Sequence, residues 1–307
     1  MAINKLMRAA INAITALEPN VKKSYKTERR LERLTAYLRG KPDDYKTLDK
    51  EIKSSSTSIP VRIFTPDNAN KSSLLLFFHG GGWVTGGIKN YSGVCSNLAK
   101  AVRCAVALVD YRLAPEYKFP AAPEDCYRVA HEFFLNNICS VHPDNITLIG
   151  DSAGGNLAAA VSLMARDRGE FLPKRQILLY PSTYSDHSDA SPFLSIKENG
   201  TGFLLTSKRI QNVIELYRSS DEDLKNPYFA PLLASDFTQQ PRTLIITAEY
   251  CPLRDEGEAY GKKLLAAGNE VEIVRMKDAL HAYFMLPPSF KLVRQTYDII
   301  NDFLSKG

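Results

Sequence analysis

Seven short apolar runs, with helical patterns between most of them, constrain this chain of 307 residues more than any other feature. They occupy residues 61–64, 74–78, 105–109, 146–149, 177–180, 244–247 and 271–274. In the run Leu74-Leu75-Leu76-Phe77-Phe78 no polar residue alternates with the apolar ones, as a strand covered on both faces requires. Helical patterns lie around 123–138, 153–168 and 255–267. Strand alternating with helix predicts an α/β fold: a mostly parallel sheet with helices on both faces.

Two stretches depart from that alternation. In residues 1–45, Ile3, Leu6, Met7, Ala10, Ile11, Ile14 and Leu17 recur at spacings of three and four, which predicts an amphipathic helix ending before Pro19. Leu31, Leu34, Tyr37 and Leu38 predict a second helix that stops at Gly40 and Pro42. Between the runs ending near 180 and starting near 244 the gap is too long for an ordinary connection. Residues 183–235 carry their own helical stretch at 210–217 and read as an inserted cap. The predicted organisation is therefore a helical part at 1–45, a core in two pieces at 46–182 and 236–307, and a cap insertion at 183–235.

With 44% hydrophobic and 24% charged residues the chain sits near globular averages, which excludes collagenous, low-complexity and wholly disordered classes. The net charge of +5 is concentrated in residues 1–50, where 12 Lys and Arg face 6 Asp and Glu. A solvated basic helix face accounts for that, and no nucleic-acid partner is implied. Five cysteines, an odd number without C-x-x-C spacing, suggest free thiols in a reducing compartment. Arg8, Asn4 and Asn12 interrupt the first apolar stretch, so residues 1–17 do not read as a signal peptide. No run of about 18 apolar residues offers a membrane span. A cytoplasmic location follows as the expectation, with a homo-oligomer left open.

The chemistry is concentrated in two glycine-rich segments. Gly150-Asp151-Ser152-Ala153-Gly154 follows the run 146–149 and precedes a helical pattern, the strand–turn–helix context that a G-x-S-x-G nucleophile elbow needs. The helix after it points backbone N–H groups at developing negative charge. His79-Gly80-Gly81-Gly82-Trp83 ends the run 74–78, and a loop of this type supplies the other half of an oxyanion hole. A phosphate-binding loop is the rival reading of a glycine run. The absence of G-K-[ST] and of G-x-G-x-x-G opening a helix makes a nucleotide site improbable.

On these residues, on Asp110-Tyr111-Arg112-Leu113-Ala114-Pro115-Glu116 with Phe119-Pro120-Ala121-Ala122, and on Pro252-Leu253-Arg254-Asp255-Glu256-Gly257, the chain resembles the hormone-sensitive-lipase family of α/β-hydrolases. These are bacterial-type carboxylesterases with an HGGG loop. The resemblance spans about 45–305. It implies an eight-stranded sheet, a cap built from the N-terminal helices and the insertion, and hydrolysis of short- to medium-chain acyl esters with no metal or organic cofactor. It also implies Ser152 as nucleophile, His281 as general base, and the N–H groups of Gly81, Gly82 and Ala153 as the oxyanion hole. His79 is expected to order the oxyanion loop. Trp83, Tyr184 and Phe203 are candidates for the acyl pocket or cap.

One position departs from the family. Its acid opens the motif Asp-Pro-Leu, and here the chain reads Cys251-Pro252-Leu253. A neutral thiol is a weak hydrogen-bond partner. Glu249 is the first candidate to replace the acid, because in an extended strand it shares a face with Cys251. Asp255 reads as a helix N-cap or first-turn charge, and Asp186 and Asp189 belong to the presumed cap. Two readings follow, a serine carboxylesterase acting on a small acyl ester and a catalytically impaired ligand-binding protein on the same scaffold. A third, with Cys251 as nucleophile, faces neither oxyanion segment in the expected geometry.

Overall fold

The computed structural model describes residues 20–38, 46–53, 57–67, 69–136 and 138–306. The predicted helix over 3–17 and the predicted stop at Gly40 and Pro42 lie outside them. The strands are β1 (Lys46–Lys53), β2 (Ser58–Thr65), β3 (Asn70–Phe78), β4 (Cys104–Val109), β5 (Ile146–Asp151), β6 (Arg175–Leu179), β7 (Arg242–Tyr250) and β8 (Val271–Leu280). They form one sheet in the order β1-β2-β4-β3-β5-β6-β7-β8. β2 runs antiparallel to β1 and β4, and all other pairs are parallel. Every predicted run falls on a strand, except that β6 ends one residue before Tyr180. β1 had no apolar run to announce it, because it is an edge strand whose polar and charged side chains are mostly exposed.

The helices are α1 (Val21–Leu38), α2 (Ile88–Val102), α3 (Ala121–Leu135), α4 (Ala153–Arg168), α5 (Leu194–Asn199), α6 (Ser207–Tyr217), α7 (Arg254–Ala266) and α8 (Lys291–Ser305). α2 packs with α8 and α3 with α4, so helices cover the central strands, and β5 is buried along its whole length. α4 is buried from Ala153 through Ala165. Its small side chains, three alanines in a row among them, let it lie close to the sheet.

The register of the parallel strands decides where chemistry can sit. Phe78 pairs with Gly150, and Asp151 with Leu179, so β3, β5 and β6 end at one level and their following loops meet. In an open parallel sheet that carboxyl edge is where ligands bind. Over it lie α1 and α6, joined by a 2.8 Å ion pair between Glu28 and Arg209. Arg29 anchors α1 to the body by donating to the Val84 and Ala114 carbonyls at 2.7 and 2.6 Å.

Candidate active site

The turn from β5 into α4 holds Ser152 at φ 56° and ψ −119°, outside the regions an L-residue prefers. Such strain persists only where the surroundings enforce it, and here two glycines do. A Cβ on Gly150 would come within 2.2 Å of the Gly154 carbonyl oxygen, and one on Gly154 within 2.0 Å of the Phe78 oxygen. The chain can turn this sharply, and α4 can approach β3 this closely, only without side chains at those positions. Ser152 is thereby lifted to the floor of the pocket.

His281 follows directly on β8 and is 7% exposed. Its Nε2 lies 3.0 Å from Ser152 Oγ, and its Nδ1 lies 3.1 Å from Cys251 Sγ. Tyr180 closes one side of the imidazole, edge to face at 4.9 Å between centroids. Burial pushes the His281 pKa down to about 3 and the Cys251 thiol far up, so both are neutral at pH 7 and the pair carries no charge. If Nε2 is to accept a proton from Ser152, the tautomer must carry its hydrogen on Nδ1, which then donates to the sulfur.

Glu249 is not the side chain beside His281 Nδ1. Its Oε2 accepts the Asp278 N–H at 2.6 Å instead. The expected sharing of a face with Cys251 fails for a physical reason: the β7–β8 register shifts between Ala248 and Tyr250, and β7 ends at Tyr250. Alternation along β7 does not reach Cys251, which lies beyond the strand, and the extra residues of the shift stand in β8, between Met276 and Leu280, where Asp278 presents its N–H to Glu249. Asp255 lies in the first turn of α7, bound by Arg254 Nε at 2.8 Å and by the Ser195 N–H at 2.7 Å. Asp186 accepts the Ser188 N–H in a local turn, and Asp189 is exposed. Cys251 is buried and does not line the pocket, so its thiol reaches the imidazole but not the space where a substrate would sit.

The pocket has a volume of about 420 Å³, bordered by Gly81, Gly82, Ser152, Ala153 and His281 at its floor. Leu204, Leu205, Ile210 and Val213 from the insertion form apolar walls, and Glu32 from α1 adds a polar one. Gly81 and Gly82 have φ of +110° and +61°, which glycine tolerates without strain. Ala153 opens α4, where the N–H has no carbonyl one turn back to bind. His79 is buried, stacked on Tyr111 at 4.2 Å, with Nδ1 2.8 Å from the Gly80 oxygen. Trp83 borders the pocket and stacks on Tyr217 of α6 at 4.5 Å. The other two aromatic candidates are not brought there: Tyr184 packs edge-on against Phe193, and Phe203 stacks on Tyr250. Among the described residues no group of three His, Cys, Asp or Glu side chains is arranged to hold a metal ion, and no helix is long and apolar enough to cross a membrane.

Several contributing residues had no sequence signal. Ser195 Oγ, on α5, donates to the Pro252 carbonyl at 2.7 Å, and Asn199 Nδ2 donates to the Glu249 and Cys251 carbonyls, both at 3.3 Å. The turn bearing the thiol is thus fastened to the insertion. Asp151 and Tyr91 tie the glycine loop to the elbow through the Gly80 N–H. Of these only Asp151 stood inside a motif, at the first of the two variable positions of G-x-S-x-G.

A strained serine after the fifth strand, a histidine after the eighth and a glycine loop after the third are the parts of a hydrolase site on an α/β sheet. The chain belongs to the alpha/beta hydrolase fold family, whose model matches residues 75–285. It is 37% identical to an arylesterase of Saccharolobus solfataricus over 249 residues, 80% of each chain. It is also 37% identical to the carboxylic ester hydrolase LipN of Mycobacterium tuberculosis over 246 residues, 78% of this chain and 64% of that one. Among solved structures, a hyperthermophilic esterase from the archaeon Pyrobaculum calidifontis superposes with a TM-score of 0.88 at 33% identity, covering 99% of this chain and 98% of the other.

Proposed function

We propose that the protein is a serine carboxylesterase for short- to medium-chain acyl esters, acting through an acyl-enzyme on Ser152. The observation that carries this reading is the 3.0 Å contact between Ser152 Oγ and His281 Nε2 at the floor of a pocket bordered by Gly81, Gly82 and Ala153. The Ser152 hydroxyl attacks the acyl carbonyl while Nε2 takes its proton, and the three backbone N–H groups receive the charge that develops on the carbonyl oxygen. The imidazolium returns the proton to the leaving alcohol. Water then repeats the sequence on the acyl-serine, releasing the acid and freeing Ser152.

Cys251 stands where a carboxylate would stabilise the imidazolium, and it fills only the orienting half of that task. Its sulfur lies 3.1 Å from Nδ1 and holds the ring in place, but a neutral thiol can donate as well as accept, so it neither fixes the tautomer as an acceptor-only carboxylate does nor offers charge. The depression of the His281 pKa from 6.5 to about 3 corresponds to roughly 5 kcal/mol against the buried cation. The enzyme is therefore slow for its class and relies on the oxyanion donors. A pocket of about 420 Å³ with leucine and isoleucine walls suits a small apolar ester. Five cysteines without C-x-x-C spacing favour a cytoplasmic setting.

Hydrolysis of p-nitrophenyl acetate, butyrate and octanoate by the wild type and Ser152→Ala tests the reading. Turnover that favours the two shorter esters and falls at least about 10³-fold in Ser152→Ala is expected. Equal, serine-independent rates would reject the esterase and leave a ligand-binding protein on a hydrolase scaffold.

A further inference from the structure

The oxyanion donors come from two separate segments, the loop at 81–82 after β3 and the start of α4 at Ala153. Their N–H groups are useful only if they converge before the substrate arrives, since donors that must reorganise lose most of their effect. Within the loop the Gly81 carbonyl accepts the Val84 and Thr85 N–H groups at 3.1 and 2.9 Å, but these bonds do not reach the elbow, and consecutive glycines have the largest backbone freedom to lose.

One side chain ties the two segments together. Asp151, immediately before the nucleophile, is 1% exposed. Its Oδ1 accepts the Gly80 N–H at 2.8 Å, and its Oδ2 accepts the Tyr91 hydroxyl at 3.0 Å. The Tyr91 oxygen in turn lies 3.0 Å from the same Gly80 nitrogen. The fit is tight: a Cβ on Gly80 would lie 2.8 Å from both Asp151 Oδ2 and the Tyr91 oxygen. The carboxyl is also met by its own backbone N–H, the Tyr180 hydroxyl and the Cys95 thiol, none of them a cation, and burial pushes its pKa up to about 7. A carboxyl kept in such a place is costly, and its bond to the Gly80 N–H is the one that spans the two segments.

We infer that Asp151, braced by Tyr91, is the positioning residue that sets the oxyanion loop against the nucleophile elbow: by holding the Gly80 N–H it aims the N–H groups of Gly81 and Gly82 at the point served by Ala153. The inference rests on the esterase reading above. It has added weight in this chain, because a thiol behind His281 leaves more of the rate to the oxyanion donors.

The test compares full-length Asp151→Ala, Asp151→Asn and Tyr91→Phe with the wild type, measuring kcat and KM on p-nitrophenyl butyrate and amide hydrogen exchange over residues 79–86. Asp151→Ala is expected to lose about 10²-fold in kcat with KM within about threefold, and to exchange faster across the loop. Asp151→Asn keeps an oxygen for the Gly80 N–H and is expected to stay within about fivefold in kcat, with exchange unchanged. Tyr91→Phe falls between them. Full activity in Asp151→Ala, or a loss in Asp151→Asn as deep as in Asp151→Ala, overturns the inference. Should Asp151→Ala fail to fold, Tyr91→Phe decides: unchanged kcat and exchange overturn the inference. A wild type without Ser152-dependent turnover rejects the esterase reading, and exchange then judges the clamp alone, equal exchange in all four proteins overturning it.

Discussion

His281 sits between a hydroxyl 3.0 Å from one nitrogen and a thiol 3.1 Å from the other, with no charge facing either. The geometry of a catalytic triad is retained while its electrostatics are not. Substituting Asp for Cys251 adds the missing anion at the position the sulfur occupies, and kcat is expected to rise by about 10² or more, toward the factor of about 10⁴ that an orienting carboxylate is worth in serine proteases. The same change moves the pH profile in a defined direction. A base works while neutral, so with the His281 pKa at about 3 the wild-type kcat/KM is expected to stay level from pH 8 down to pH 5 or so. Asp151 does not disturb this, since it keeps an acceptor for the Gly80 N–H in either protonation state. In Cys251→Asp the imidazolium is favoured and the acid limb rises toward neutrality. A wild-type limb near pH 6 to 7 would mean that another carboxylate reaches His281 after all.

Individual elements are held to the site by contacts that tolerate little change. α4 approaches β3 over Gly154, whose added Cβ would overlap the Phe78 oxygen at 2.0 Å. Backbone on both sides cannot yield as a flexible side chain would, so Gly154→Ala is expected to destabilise by about 3 kcal/mol, read from the urea midpoint. α5 fastens the Cys251 turn to the insertion through Ser195, whose Oγ is hydrogen-bonded to the Pro252 carbonyl. Ser195→Ala leaves that buried carbonyl short of a donor, at a cost of about 1–3 kcal/mol. Because the turn carries the partner of Nδ1, kcat should drop along with stability. A loss of stability with kcat unchanged would show that α5 supports the fold and not the array. On the other side of the same turn, Glu256 of α7 accepts the Thr183 N–H at 2.7 Å and meets His187 Nε2 at 2.7 Å, both side chains fully buried. The insertion is thus pinned to α7 from two directions.

Across the whole molecule, two buried groups make opposing contributions to the pH dependence of stability. His281 is depressed from 6.5 to about 3, so its share of stability is present above pH 6.5 and lost as pH falls. Asp151 is raised from 3.8 to about 7, so its share is present below pH 3.8 and lost as pH rises through 7. Between about pH 4 and 6.5 the two slopes oppose one another. Removing the aspartate's titration exposes the effect: the difference in Tm between Asp151→Asn and wild type is expected to grow in favour of the variant from pH 4 to pH 8. A difference that stays constant with pH would place the Asp151 pKa near that of an ordinary carboxyl.

Local pattern alone determined seven of the eight strands, the elbow and the family. Strands buried on both faces must be written as unbroken apolar runs, and a serine on a strained turn must be flanked by residues without side chains, so Leu74-Leu75-Leu76-Phe77-Phe78 and Gly150-Asp151-Ser152-Ala153-Gly154 carry their structure in their spelling. The edge strand β1 escaped because a solvent-exposed strand needs no such run. Contacts between distant segments were decided only in three dimensions. Alternation along a strand pointed to Glu249, but β7 ends before Cys251, which meets an imidazole 30 residues away in the chain, while extra residues in β8 bring the Asp278 N–H to the Glu249 carboxylate. Asp151 and Tyr91 meet Gly80 for the same reason: hydrogen bonds across 71 and 11 residues depend on strand order and helix packing, which no local pattern of residues encodes.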